Sequence, residues 1–152
     1  MTPTTPAIRA GLAIGSTIFA MGGALVLPEM TRAADADQIA QGKQLYGEYC
    51  ASCHGANLEG QPDWKRRKPD GKLPAPPHDA TGHTWHHSDA QLFRITREGP
   101  AAIMPGYVTD MPGFAEKLSD DEIRAVLEFI KSTWPEREQA SQAARSDAEP
   151  GN

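Results

Sequence analysis

An all-α fold is the expectation for this chain, and three observations carry it. Three segments read as helices, two by apolar residues at helical spacing and one by its cap and stop signals. No segment alternates as a strand does. The stretches between the helical segments hold much of the Gly and Pro, as loops do.

The elements follow in order. Arg9 precedes an uncharged run at residues 10–27, "AGLAIGSTIFAMGGALVL", and then come Pro28, Glu29, Arg32 and the small-residue stretch "TRAADADQ". A basic start, an apolar run and small residues make an export signal, with cleavage expected after Ala34 or Ala36. The same 18-residue run reaches the lower length for a membrane anchor. Either reading puts residues 35–152 outside the cytoplasm. Residues 1–35 are therefore the signal or anchor, 36–135 the folded domain, and 136–152 a polar, patternless tail expected to be disordered.

Within the domain, residues 36–50 predict a helix, with Ile39, Gly42, Tyr46 and Tyr49 on one face. Residues 55–87 are irregular and rich in Pro and Gly. A second helix is expected over 89–98, capped by Ser88 with Gln91 closing a capping box, and stopped by Gly99-Pro100. The strongest helix is expected over 120–133. Ser119 caps it, Glu122 completes the box in "SDDE", and Ile123, Val126, Leu127 and Ile130 share its apolar face. Pro135 ends it.

Composition narrows the function. Aromatics are 7% and charged residues 23%, with 14 Gly and 13 Pro, so the core is modest and a bound group would help fill it. The formal net charge of −5 argues against a nucleic-acid partner. The two Cys, at 50 and 53, are too close for a bridge to staple the chain, and no second pair exists for a zinc site.

Those two Cys lie in "CASCH" at 50–54, a Cys-x-x-Cys-His pattern, the attachment motif of c-type haem. Two thiols three positions apart can bond two vinyl groups on one edge of a porphyrin, and the adjacent His54 imidazole is then held at the iron. A thioredoxin-like dithiol shares the Cys spacing, but it needs alternating strands and helices, which this chain lacks.

The sequence resembles class I c-type cytochromes, the monohaem, exported bacterial type. The likeness rests on "GKQLYGEYCASCHGANLEG" at 42–60, on "MPGF" at 111–114, and on the amphipathic segment "LSDDEIRAVLEFIKSTW" after it, and it covers residues 36–134. It implies a cytochrome c-like fold of three or more helices around one covalently bound haem c. Cys50 and Cys53 would attach the haem, and His54 and a late methionine would be the axial iron ligands. Met-Pro-Gly occurs twice, at 104 and 111. Met111, eight residues before Ser119 and followed by Phe114, matches the expected place; Met104 is the less favoured alternative. The resemblance also implies a close crossing of first and last helices, with Gly42 admitting Phe129.

Other residues carry open readings. "HDATGHTWHH" contains His78, His83, His86 and His87. They form either a second metal site or, better supported, a loop over one haem edge in which Trp85 donates to a propionate. A His beside that propionate would make the potential pH-dependent. The cluster "WKRRK" at 64–68 is either a solvated loop or a docking patch for an acidic redox partner. The expected function is single-electron transfer on the periplasmic side of a bacterial inner membrane, with protein redox partners. Two alternatives stand: a haem enzyme or gas-binding protein with an open iron site, and a dedicated electron-accepting subunit of a dehydrogenase.

Overall fold

The computed structural model describes residue 1 and residues 27–149. The apolar run at 10–26, on which the signal or anchor expectation rests, lies outside the described residues. Among those described, no helix is long and apolar enough to cross a membrane. Six helices and one 3₁₀ turn form the fold, and there is no strand among the described residues.

Helix α1 spans Leu27–Tyr49, starting earlier than expected. It runs through both expected cleavage positions. Pro28 sits in its first turn, where a missing N–H costs nothing, and the Ala-rich stretch after it favours helix. Gly42 and Tyr46 are buried. A Cβ on Gly42 would overlap the carbonyl oxygen of Ala125 and lie 3.0 Å from the Phe129 Cβ. Glycine here is therefore the condition for the close crossing of α1 with α5.

Helix α5, Asp120–Ser132, is the element most fully specified locally. Both halves of its capping box form: Ser119 Oγ accepts from the Glu122 N–H, and Glu122 accepts from the Ser119 N–H at 2.8 Å. Three acidic residues in the first turn suit the positive end of the helix dipole. Ile123, Val126, Leu127 and Ile130 are buried as the pattern predicted, joined by Ala125 and Phe129.

Helix α3, Asp89–Glu98, is capped by Ser88, which accepts from the Gln91 N–H. The expected box is half made: the Gln91 Oε1 that would accept the Ser88 N–H lies 3.1 Å from His87 Nδ1 instead, and the Gln91 amide N–H donates to Glu149 at 3.2 Å. Gly99, at φ 85°, ends α3, and the single turn α4, Pro100–Ile103, follows.

The expectation of a disordered tail is overturned. Residues Glu136–Ala148 form helix α6. Its buried Gln142 donates to Asp89 Oδ1 at 2.8 Å and its Ser146 Oγ accepts the Asp89 N–H at 2.9 Å. Just past its end, Glu149 accepts from Ser88 Oγ at 2.7 Å. The tail has no apolar stripe, but these polar contacts with the start of α3 replace one.

The region 55–87 is irregular as expected, apart from the 3₁₀ turn Thr84–His86. Part of it is a closed excursion. The Gln61 N–H donates to Ala75 O at 2.9 Å, and the Ala75 N–H donates to the Gln61 side-chain oxygen at 3.2 Å. Residues 62–74 loop out from that neck, carrying the basic cluster.

Two buried clusters fill the interior. One gathers Tyr46, Leu58, Val126, Phe129, Ile130 and Trp134, with Cys50 and Leu45 packed against it. The other gathers Leu92, Phe114, Leu118, Ile123 and Leu127, with Leu45, Tyr49 and Met111 against it. Leu45 on α1 touches both.

Candidate haem-binding site

The attachment motif continues α1. The Cys50 N–H donates to Tyr46 O at 2.9 Å, and the short helix α2, Ala51–His54, follows directly. One helical turn thus carries both thiols, three positions apart, close on the same side. Gly55, at φ 84°, ends the turn, and the buried Tyr46 hydroxyl donates to its carbonyl at 2.8 Å. Neither Cys is in a disulfide. Burial, and then the neighbouring Cys53, push the Cys50 thiol up to about 11. A dithiol oxidoreductase needs the opposite, a thiolate stabilised near neutral pH. The strandless fold of the described residues counts against the thioredoxin-like alternative, and the raised Cys50 thiol agrees with it.

His54 is buried and held by one specific contact: its Nδ1 lies 2.8 Å from Pro76 O. A carbonyl only accepts, so Nδ1 carries the hydrogen and Nε2 keeps its lone pair. Burial lowers the imidazole pKa, against the opposing hydrogen bond to Pro76, and favours the neutral ring. A neutral histidine with one nitrogen anchored by a carbonyl is the form that ligates metals. The donor set fits a covalently attached haem: two thiols for the vinyl groups and an oriented imidazole for the iron.

The two Met-Pro-Gly units differ. Met104 is 43% exposed at the end of α4. Met111 is partly buried and packs on the cluster that contains Phe114. The chain just after it is tightly fixed. The Phe114 N–H lies 3.1 Å from both Thr96 O and Arg97 O, and a Cβ on Gly113 would meet Glu98 O at 2.7 Å. Leu45 packs against both clusters, so α1 links the cluster beside Cys50 to the cluster beside Met111.

The family model described as cytochrome c matches residues 39–134. The chain belongs to the cytochrome c family. It is a c-type cytochrome, with covalently bound haem c and its iron as cofactor, and a haem c electron-transfer protein. Among curated relatives it is 29% identical over 99 residues to the Cbb3-type cytochrome c oxidase subunit CcoP of Azospirillum sp. (strain B510), covering 65% of this chain and 30% of that one. It is 28% identical over 134 residues to the same subunit of Azospirillum brasilense, covering 80% and 41%. It is 29% identical over 133 residues to a nitrite reductase of Stutzerimonas stutzeri, covering 83% and 21%. The cytochrome thus spans between 21% and 41% of the length of these relatives. No solved structure matches it significantly.

The remaining expected residues fall out differently in this cytochrome. The Trp85 indole N–H donates to Ala80 O at 3.3 Å. Trp has one donor, so a contact from Trp85 to a propionate would have to replace this bond. Trp134 is the indole that braces the site: it is buried at the end of α5 and donates to His78 O at 2.7 Å. It thereby pins the segment that presents Pro76. His78 stacks on His54 with ring centroids 4.0 Å apart, and its Nδ1 lies 2.8 Å from Thr84 Oγ1. Burial first, then the nearby His54 and His83, lower its pKa well below the usual histidine value. His83 stacks instead on Trp64 at 5.3 Å, and the loop histidines form no cluster of three metal-ligating side chains among the described residues.

Sequence reasoning missed Pro76 and Trp134. A carbonyl acceptor leaves no side-chain signal. Trp134 fell at a helix end, where its partner 56 residues away in sequence was invisible.

Proposed function

We propose that this cytochrome carries single electrons outside the cytoplasm with His54 and Met111 as its two axial iron ligands. Bound haem supplies an Fe(II)/Fe(III) couple. Cys50 and Cys53 would tether it, His54 would bind the iron through Nε2, the nitrogen not engaged by Pro76, and Met111 would offer its thioether as the second ligand. A thioether favours the ferrous state and raises the potential. The buried clusters around Leu45 exclude water, so little reorganises when an electron moves. The observation that carries the reading is the partial burial of Met111 against the cluster that contains Phe114, while Met104 is exposed.

The partners we infer are proteins of a respiratory redox chain on the periplasmic side of a bacterial inner membrane. The oxidase-subunit and nitrite-reductase relatives support that class. They also support a dedicated subunit role, in which the domain serves one larger oxidoreductase. The apolar stretch near the N-terminus supports export or anchoring.

The test is the ferric spectrum of the holoprotein. Met111→Ala should lose the near-infrared sulfur-to-iron band and let the ferrous form bind carbon monoxide. Met104→Ala should keep the band. The reverse pattern would transfer the ligand to Met104. Carbon monoxide binding by wild type would favour an open-iron enzyme or sensor.

A further inference from the structure

Met111 is held unequally on its two sides. After it, backbone hydrogen bonds fix Phe114 and Ala115 to the end of α3. Before it, the hydrogen bonds of residues 105–109 among the described residues are local: the Tyr107 N–H donates to Met104 O, and Thr109 Oγ1 accepts from the Met111 N–H. The polar ties from this flank to the rest of the molecule come from the basic excursion. Asp110 Oδ1 accepts from Lys72 Nζ, and Asp110 Oδ2 lies 3.7 Å from Lys68 Nζ. The Arg67 guanidinium sits 5.8 Å from the Tyr107 ring centroid.

The excursion is itself braced for this task. The Lys68 N–H donates to Lys72 O at 2.8 Å, closing the tip so that both ammonium groups face one carboxylate. Arg67 Nη1 donates to Gly71 O at 2.6 Å. The loop neck at Gln61 and Ala75 connects to Pro76, the anchor of His54. One segment thus touches the support of the imidazole at its base and the flank of the thioether at its tip.

We propose that Lys68 and Lys72 are positioning residues for Met111: by gripping Asp110 they clamp the otherwise loosely held chain leading into the thioether ligand. The proposal rests on Met111 being that ligand. It also changes the reading of the basic cluster, because its last member Lys68 and the nearby Lys72 act within the molecule rather than on a partner. Exposed ion pairs contribute little to global stability, so the effect is on the local opening that lets Met111 leave.

The test uses ferric holoprotein and added imidazole, which takes the sixth position when the methionine lets go. At low salt, Asp110→Asn and the double variant Lys68→Gln/Lys72→Gln should each speed loss of the sulfur-to-iron band about three- to tenfold, while Lys72→Arg stays near wild type. In about 1 M salt the rates should converge, because screening loosens the wild-type clamp as the substitutions did. Equal rates at low salt would overturn the proposal, and so would an acceleration that high salt leaves unchanged. If the lysine variants slow reduction by a protein partner while imidazole entry stays at the wild-type rate, the cluster is a docking patch and the clamp is wrong. Failure of the ligand reading is separate: it shows as a Met111→Ala spectrum identical to wild type, and it overturns the clamp as well.

Discussion

The crossing of α1 and α5 and the pair of loops around Asp110 are held together by opposite means. At the crossing, Gly42 lies against Ala125 and Phe129, and Ile123 is fully buried. Contact there is apolar, close and insensitive to salt. Between the loops, Lys68, Lys72 and Asp110 meet at the surface, with Asp110's side chain 59% exposed. Contact there is polar, screened and cheap to open. The first region sets the stability of the domain; on the proposal above, the second sets how firmly Met111 is held.

Substitutions should separate the two regions by size of effect. Phe129→Ala should cost about 3 kcal/mol or more, by removing a buried aromatic from the crossing, and denaturant melts of the holoprotein measure it. An unchanged midpoint would show that the crossing is not the core of the fold. Gly42→Leu should cost about 2–3 kcal/mol, because even its Cβ overlaps backbone that cannot move aside. Its surviving folded fraction should keep the wild-type spectrum, and a lost sulfur-to-iron band with a normal melt would break the division between the regions.

Between these extremes lies the junction of α3 and α6. Asp89 accepts from Lys131 Nζ at 2.9 Å and from Gln142. Partial burial works against its ionisation, but the hydrogen bonds of Lys131, Gln142 and Ser146 and the charge of Lys131 hold its pKa below the usual carboxylate value. A depressed folded-state pKa stabilises above the unfolded value and is lost as pH falls through the folded one. Wild type should therefore exceed Asp89→Asn by no more than about 1 kcal/mol at neutral pH, with the gap closing below pH ~4. A gap that persists in acid would assign the effect to packing. Smallest of all, Asp110→Asn should leave the melting temperature at the wild-type value while imidazole entry quickens; a clear drop would place that residue with the structural core.

What could be read in advance follows the same division. Helix α5 was legible to its cap, because Ser119, Glu122 and four apolar positions are all local signals. The c-type cytochrome family was legible because Cys50, Cys53 and His54 stand at the set spacing of its attachment motif. Met111 could be preferred over Met104 only by likeness and by its distance from Ser119. The anchor of His54 was not legible, since Pro76 acts through a carbonyl. Helix α6 was misread because its contacts are long-range hydrogen bonds from Gln142, Ser146 and Glu149, which hydropathy does not register. Trp85 drew attention as a donor, yet Ala80, five residues away, takes its only hydrogen.

The neck at Gln61 and Ala75 has one more consequence. Because the chain leaves and returns through the same pair of residues, the thirteen between them form a detachable cassette. A change of length or charge inside it is expected to leave Pro76 and the attachment turn in place and, on the proposal above, to act on the hold on Met111.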